Sequence, residues 1–225
     1  VTGNLKFDVP VSESLIRAGK SLREDWGLDR FVMIAASTHR GEEQGVLDAF
    51  GELRKAHPET LLVLVPRHPE RFNSVARLCR RAGYKVIRRS QYQGALEPGV
   101  AVLVGDTMGE LQKLYVASEV AFVGGSLVPI GGHNLLEACA VGVPVIFGPH
   151  MFNVEEISEM AVTRGAGRQV EDALTLARAA ADYLEQPALR EKASEAALRL
   201  VSENRGALER TLSLIDSTLT SARLG

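Results

Sequence analysis

The sequence predicts an α/β protein built on a doubly wound, Rossmann-like parallel sheet. Short, almost uninterrupted apolar runs alternate with amphipathic segments of about 10 to 16 residues, as expected for a repeated strand–helix unit. Strands that are buried on both faces have this composition, and right-handed crossovers then place helices on both sides of the sheet. Such sheets bind their ligands beyond the carboxyl ends of the strands.

Six apolar runs predict six strands. Segments with helical spacing of apolar residues separate most of these runs. The predicted strands cover residues 32–36, 61–65, 85–87, 101–104, 120–123 and 143–147. The predicted helices cover roughly residues 41–56, 70–82, 107–117 and 133–141.

The two ends of the chain differ from this repeat. Residues 3–8 have the composition of a short strand, and an amphipathic helix over about 12–25 and a turn at Gly27 follow. The chain from about 171 to 222 is alanine-rich and helical in pattern, with breaks near 186–187 and 204–206. The sequence therefore predicts three units, which are an interdomain hinge with a first helix at 1–30, one Rossmann-like domain at 31–205, and a C-terminal helix at 206–225 that reaches back to a partner domain.

The composition is that of an ordinary soluble globular protein, with 45% hydrophobic and 24% charged residues in 225. A formal net charge of −2 gives no electrostatic reason to expect a nucleic acid partner. Cys79 and Cys139 lie apart in apolar helical segments, which predicts two buried free thiols. No run of 18 apolar residues occurs, and the chain begins at Val1 without an initiator methionine, so we expect part of a longer protein.

A glycine-rich turn after the fifth apolar run is the strongest functional signal. Residues 124–132 include four glycines, which allow the backbone to approach a ligand and leave the N–H groups of a helix start free for an anion. We expect Asn134 and Glu137 on the first turn of the next helix, where the Glu137 carboxylate can accept hydrogen bonds from the vicinal hydroxyls of a ribose. This pattern predicts a nucleotide-sugar half-site.

Polar motifs follow three other predicted strands, at residues 37–42, 66–72 and 105–111. Arg67 offers a planar set of donors for phosphate or carboxylate, and the proline that follows His68 suits the first position of a helix. Residues 108–110 would open a helix beside a base, although Asp106 as the helix cap, with a first-turn carboxylate after it, is also consistent with the pattern. We expect one crevice to hold all of these motifs.

Six motifs in this order closely resemble the Kdo transferases, the lipid A 3-deoxy-D-manno-octulosonic acid transferases of Gram-negative bacteria. They lie at residues 1–8, 36–39, 66–72, 106–111, 124–127 and 131–134. Residues 204–210 are similar to the C-terminus of the same family, so the resemblance covers essentially the whole chain. Leu135 stands where the family usually has proline, and we expect this helix-start position to tolerate the exchange.

The resemblance implies the C-terminal half of a GT-B glycosyltransferase, which binds the donor CMP-Kdo in an inverting, metal-independent reaction without a cofactor. The N-terminal half would carry the membrane anchor, the lipid A precursor site and the catalytic base, at the cytoplasmic face of the bacterial inner membrane. Lys6 would stabilise the charge of the departing phosphate. The implied CMP-binding residues are Pro66, Arg67, His68, Met108, Gly109, Glu110, Gly125, Ser126, Gly132, His133, Asn134, Leu135, Leu136 and Glu137.

Several questions stay open on the sequence alone. The same pattern suits the donor domain of a UDP-sugar-dependent GT-B transferase or epimerase, or a non-catalytic nucleotide-binding module. His133 fits a structural role as well as ligand binding, and His68 fits a cap as well as a phosphate contact. His39, His57 and His150 have no mutual spacing that suggests a metal site, and no Asp-x-Asp motif occurs.

Overall fold

The computed structural model describes residues 4–92, 94–213 and 215, and within them seven parallel strands form one sheet. The strands lie in the order β3-β4-β2-β1-β5-β6-β7. Their bounds are β1 (Val32–Thr38), β2 (Leu61–Pro66), β3 (Lys85–Arg88), β4 (Val100–Val104), β5 (Val120–Val123), β6 (Val145–Phe147) and β7 (Gly167–Gln169). The predicted doubly wound parallel sheet is confirmed.

Helices cover both faces of the sheet. Their bounds are α1 (Glu13–Trp26), α2 (Glu42–Ala56), α3 (Phe72–Arg81), α4 (Leu111–Val116), α5 (Leu136–Cys139), α6 (Glu155–Thr163), α7 (Ala173–Glu185) and α8 (Pro187–Ser202). Along β1, Val32 and Ile34 belong to one hydrophobic core, whereas Met33 and Ala35 belong to the other. Because successive side chains of a strand point to opposite faces, an uninterrupted apolar run supplies both cores.

The direction of winding reverses between β1 and β5. From β1 the chain proceeds outward to β2, and it later returns to β5 on the other side of β1. The loops that leave these two central strands diverge, which opens a crevice at their carboxyl ends. The register of β1 is irregular at this edge, with a shift between Ala36 and Thr38.

Both cysteines are buried, one in each core. Burial raises the pKa of the Cys79 thiol to about 12 and has the same effect on Cys139. Both therefore stay protonated and pack as small apolar side chains, as the sequence predicts.

The strand predicted at residues 3–8 is wrong over residues 4–8, the part of it that the structure describes. Leu5–Phe7 form a 3-10 turn, because Asn4 caps the turn with its side chain and the last residue of the turn is buried in the core. The Asp8 carboxylate then accepts the N–H groups of Gly206 and Leu208, at 2.6 and 2.7 Å. These contacts tie the beginning of the described chain to its end, while the proposed boundaries at residues 30 and 205 stay predictions.

Two predicted helices are shorter in the structure. The helix predicted at 107–117 begins at Leu111, and the helix predicted at 133–141 is reduced to α5. In both cases the residues just before the helix form turns that their own side chains stabilise. The residues at the predicted helix starts are consequently loop residues.

Two elements have no counterpart in the sequence prediction, namely α6 and β7. The strand β7 has the sequence Gly-Arg-Gln, so it carries no apolar signal and is fixed by backbone pairing with β6. The predicted C-terminal helix at 206–225 lies largely outside the described residues, although residues 207–213 are helical.

We predict that Gly19→Ala destabilises the protein, although alanine favours a helix interior by about 1 kcal/mol. A Cβ atom at Gly19 would lie 2.4 Å from the Cβ of Val116, across the contact between α1 and α4. Overpacking of this kind costs about 1–3 kcal/mol, which exceeds the gain in helix propensity.

The matched control is Gly45→Ala in α2, where the added Cβ would meet the Ala173 Cβ at an ordinary 3.9 Å. We expect this variant to gain up to about 1 kcal/mol. Urea unfolding measures both free energies, and equal changes in the two variants would contradict the tight packing of α1 on α4.

Candidate functional site

One cavity of about 370 Å³ opens at the carboxyl edge of the sheet, beyond the ends of β1, β2 and β4. It brings together the motifs that the sequence places at strand ends. The predicted residues that line it are Pro66, Arg67, Met108, Gly109, His133, Asn134 and Glu137. The other lining residues, which are not among the predicted CMP-binding residues, are Ser37, Val65, Phe72, Thr107, Leu111, Leu114 and Tyr115.

The cavity combines apolar walls with a few polar groups. Leu114 and Tyr115 are buried and come from α4, whereas Met108 is 70% exposed. Burial raises the pKa of the Tyr115 hydroxyl, and the nearby charge of Glu137 acts in the same direction. A small number of polar groups set among apolar walls is typical of sites for small molecules.

The glycine-rich turn is filled by a carboxylate of the chain itself. One oxygen of Glu42 accepts the N–H groups of His39 and Gly125, at 2.8 and 2.7 Å. The other oxygen accepts those of Ser126 and Leu127, each at 2.9 Å. Glu42 is 1% exposed, so these four N–H groups replace its hydration.

This arrangement corrects the prediction of a free anion site at the turn. The turn does bind an anion, but the anion is Glu42, so these N–H groups are not available to a ligand. Gly124 allows the approach, because a Cβ there would lie 2.9 Å from the Glu42 carboxylate and 2.7 Å from the carbonyl oxygen of Ser37. The sequence motif 37–42 contains this glutamate, but no local pattern connects it to a turn 83 residues away.

A second buried carboxylate braces the same corner of the fold. Glu43 accepts a hydrogen bond from the Thr38 hydroxyl at 3.1 Å. It also accepts from both terminal nitrogens of Arg71, one of them at 2.9 Å. Arg71 follows β2, so this pair fixes the loop that carries Arg67.

Five predicted binding residues shape the turn without lining the cavity. The Gly132 N–H donates to the Gly125 carbonyl at 2.7 Å. Ser126 is fully buried, and its hydroxyl donates to a backbone carbonyl of β5. Leu135 and Leu136 are fully buried in the core. Their side chains support the backbone that presents His133 and Asn134.

Asn134 precedes α5, which corrects its predicted place on the first helical turn. Its side-chain oxygen accepts the Leu136 N–H at 3.0 Å, and this turn delays the start of the helix. Glu137 lies on α5 and lines the cavity, as predicted. Burial raises the pKa of the Glu137 carboxyl group above its usual range.

Glu110 does not line the cavity. It immediately precedes α4, and its carboxylate accepts hydrogen bonds from Thr107, Lys113 and, at 3.0 Å, Arg89. Burial opposes ionisation, but these hydrogen bonds and the two cationic neighbours lower the pKa of Glu110. Its predicted contact with a ligand stays a prediction.

Asp106 is not the cap of α4. Its carboxylate pairs with Arg88 at 3.0 Å and accepts the Ser90 N–H at 2.8 Å. The residue therefore joins the ends of β3 and β4, because the strands lie side by side at this edge.

Arg67 brings a positive charge to the cavity. Its backbone N–H donates to the Thr38 carbonyl at 3.0 Å, which fixes the start of the loop. In the part of the chain that the structure describes, no carboxylate pairs with its guanidinium group. An exposed guanidinium of this kind can bind a phosphate or carboxylate group.

Three histidines meet beside this charge. The Nε2 atoms of His39 and His133 are 2.7 Å apart, and the rings stack with centroids at 5.0 Å. His68 contacts His39 edge to face at 5.2 Å and does not line the cavity. Burial, followed by the charges of His39 and Arg67, lowers the pKa of His133 to about 4, and burial also lowers the pKa of His39. Both rings are therefore neutral at pH 7, and the Nε2–H group of one ring donates a hydrogen bond to the Nε2 atom of the other.

Lys6 is exposed in the N-terminal turn and does not line the cavity. Its predicted catalytic role stays a prediction. Within the described residues, no three His, Cys, Asp or Glu side chains cluster in a way that suits a metal ion. No described helix has the length and apolar character to cross a membrane.

Comparison with known proteins gives a consistent set of relatives. The family model for glycosyl transferases group 1 matches residues 20–199. The 3-deoxy-D-manno-octulosonic acid transferase of Haemophilus influenzae is 45% identical to this chain over 96% of its residues. That of Bordetella pertussis is 42% identical over 97% of its residues. The chain spans about half the length of these relatives, 50% and 51%.

A solved structure matches this chain, and the match covers nearly the full length of the solved domain. It is the C-terminal CMP-Kdo binding domain of WaaA from Acinetobacter baumannii, at 34% identity and a TM-score of 0.79. The match covers 84% of this chain and 99% of that domain.

We predict that Glu42→Gln strongly destabilises the protein. A glutamine amide keeps one acceptor oxygen, so two of the four N–H groups would face an NH₂ donor. Each unpaired buried donor costs about 1–3 kcal/mol, which gives a total loss of about 2–6 kcal/mol. Urea unfolding measures this loss.

Glu52→Gln is the matched control, because Glu52 lies on the same helix but its side chain is 51% exposed and pairs with Lys55. We expect this variant to change the free energy of unfolding by no more than about 0.5 kcal/mol. Similar losses in both variants would show that the Glu42 contacts do not hold the turn.

Proposed function

The chain belongs to the group 1 glycosyl transferases and, within them, to the 3-deoxy-D-manno-octulosonic acid transferases, and we propose that it is the donor-binding half that holds CMP-Kdo. The observation that carries this proposal is the cavity itself. One small cavity at the switch point of a doubly wound sheet is lined by Arg67 and Glu137. No described carboxylate pairs with the Arg67 guanidinium group. A cation for the phosphate and a carboxyl group for ribose hydroxyls match the two polar parts of CMP.

Each part of the donor has a candidate contact. Arg67 would donate to the phosphate or to the sugar carboxylate, and Glu137 would accept from the ribose. Met108 and Gly109 would contact the base, with the Met108 thioether as a polarisable wall. The neutral His133 would add one N–H donor or one acceptor, depending on which ring of the histidine pair carries the shared proton.

We further propose an inverting, metal-independent transfer to a lipid A precursor. A carboxylate of the N-terminal half would take the proton of the acceptor hydroxyl, and that oxygen would attack the anomeric carbon of Kdo while CMP departs. Arg67 would stabilise the charge that develops on the phosphate. Lys6 would do so as well, since it lies upstream of the whole sheet, where the other half of the enzyme would join.

The half-length match supports a two-part enzyme, and we propose that this enzyme acts at the cytoplasmic face of the inner membrane of a Gram-negative bacterium. In this proposal the other half carries the acceptor site and the membrane contact, and the present chain binds nucleotide without transferring sugar. Binding of UDP in preference to CMP would instead favour a UDP-sugar-dependent transferase or epimerase. Failure to bind any nucleotide would favour a non-catalytic module.

We predict that the chain binds CMP at least about tenfold more tightly than UMP, a difference of about 1.4 kcal/mol. The 4-amino group of cytosine donates hydrogen bonds where uracil has an acceptor, and a site built for one rejects the other. Titration calorimetry with CMP, UMP and UDP measures the three affinities. Equal or tighter binding of UDP would contradict the CMP assignment.

We predict that Glu137→Gln weakens CMP binding by about 1.5–3 kcal/mol, because it replaces a charged acceptor of the ribose hydroxyls. The same variant should be at least as stable as the wild type at pH 7. A carboxyl group whose folded-state pKa is raised stabilises the fold below its unfolded pKa, and this stabilisation is lost as the pH rises through the folded-state value. Calorimetry and urea unfolding together measure the two opposite effects.

Glu156→Gln is the control for this pair of measurements, since Glu156 is exposed on α6. It should change neither quantity. A Glu137→Gln variant that binds CMP normally would show that Glu137 does not contact the ribose.

In the full-length enzyme, we predict that Lys6→Ala lowers kcat more than it raises the KM for the donor. A cation that meets the phosphate when the two halves close acts mainly on the transition state. Lys20→Ala is the control, because Lys20 is an exposed lysine on α1. Steady-state kinetics decide the outcome, and an unchanged kcat in Lys6→Ala would remove Lys6 from the catalytic machinery.

A further inference from the structure

We propose that Ser37 is a ligand-binding residue whose hydroxyl donates a hydrogen bond to the phosphate of a cytidine nucleotide. The inference rests on the proposed function, because it adds one contact to the same site. It identifies the end of β1 as part of the phosphate subsite, next to Arg67.

Ser37 has a backbone conformation that serine rarely adopts. Its φ angle is 54°, and no other non-glycine residue in the described ranges has a positive φ. In this region the Cβ atom is crowded by the backbone, so glycine is the residue that the conformation alone would favour. The chain nevertheless has a side chain at this position.

A β-bulge directs that side chain toward the cavity. Ala36 pairs with Val65 and Thr38 pairs with Pro66, which leaves Ser37 without a register partner on β2. Bulges re-aim single side chains and are common beside binding sites. Ser37 accordingly lines the cavity, while Thr38 points into the core and bonds to a buried carboxylate.

The Ser37 hydroxyl is available to a ligand. Within the described residues it has no hydrogen-bond partner, whereas the neighbouring hydroxyls of Thr38 and Ser126 are both paired. The bulge lies opposite the Val65–Pro66 step of β2, and Arg67 follows this step, with its N–H donating to the Thr38 carbonyl. A hydroxyl donor and a guanidinium group therefore occupy neighbouring strand ends. A hydroxyl donor combined with a guanidinium group is chemistry that suits a phosphate oxygen.

The unfavourable backbone conformation supports a role in binding over a role in folding. Strained residues persist where the surrounding structure holds them, and they concentrate at ligand sites. If Ser37 served stability alone, glycine would meet the backbone requirement without the strain. Replacement of Ser37 by glycine should therefore weaken ligand binding and relieve the strain on the fold.

Two variants separate these effects. Ser37→Gly removes both the hydroxyl and the strain, and Ser37→Ala removes the hydroxyl but keeps a Cβ atom at positive φ. Calorimetric titration with CMP and with cytidine distinguishes phosphate contacts from base and ribose contacts, and thermal unfolding compares the stability of the two variants. We expect CMP affinity to fall about tenfold or more in both variants, as for loss of a hydrogen bond to a charged group. We also expect unchanged cytidine affinity and a higher Tm for Ser37→Gly than for Ser37→Ala.

The outcomes that overturn the proposal are distinct. Unchanged CMP affinity, or equal losses for CMP and cytidine, would overturn the phosphate contact while leaving the proposed function in place. A Ser37→Gly variant less stable than Ser37→Ala would contradict the strain on which the inference depends. A wild-type chain that binds neither CMP nor cytidine would overturn the proposed function, and this contact with it.

Discussion

The buried carboxylate of Glu42 is the interaction on which the rest of the site depends. It joins the loop after β1 to the loop after β5 across the switch point of the sheet, through four backbone N–H groups. The loop after β5 continues through His133 and Asn134 to Glu137, which form one side of the cavity. One internal anion therefore fixes the wall against which a ligand would lie, and Gly124 and Gly125 of the turn accommodate that anion.

Burial shifts the pKa values of two residues that line the cavity. It lowers the pKa of His133 to about 4 and raises the pKa of Glu137, so desolvation opposes charge on both residues. Arg67 is exposed, and its guanidinium group brings a positive charge to the cavity. Groups with pKa values shifted by desolvation in a cleft are a frequent property of binding sites. The cavity therefore combines the positive charge of Arg67 with the neutral His133 and the carboxyl group of Glu137, which suits a nucleoside monophosphate.

The sequence predicts an element or a residue well where a local pattern carries the information. Six strands follow from apolar runs, because strands such as β1 and β4 are buried on both faces and are therefore apolar throughout, whereas β7 has no apolar run and pairs with β6 through its backbone. Arg67 and Met108 line the cavity as predicted because they follow parallel strands whose ends share an edge. The short helix α5 is mispredicted because the Asn134 side chain bonds to the backbone and delays the helix start.

The sequence by itself determined the doubly wound sheet, the edge that holds the site and the resemblance to one family, since these depend on periodicity and on motifs within short segments. Tertiary structure alone decided which anion fills the glycine turn, which two histidines form a hydrogen bond and which side chain the bulge turns into the cavity. The partners in these contacts lie far apart in sequence, 83 residues for Glu42 and Gly125 and 94 for His39 and His133. Local periodicity predicts which face of an element is buried. It does not predict which distant residue the folded sheet brings within hydrogen-bond distance of a given side chain.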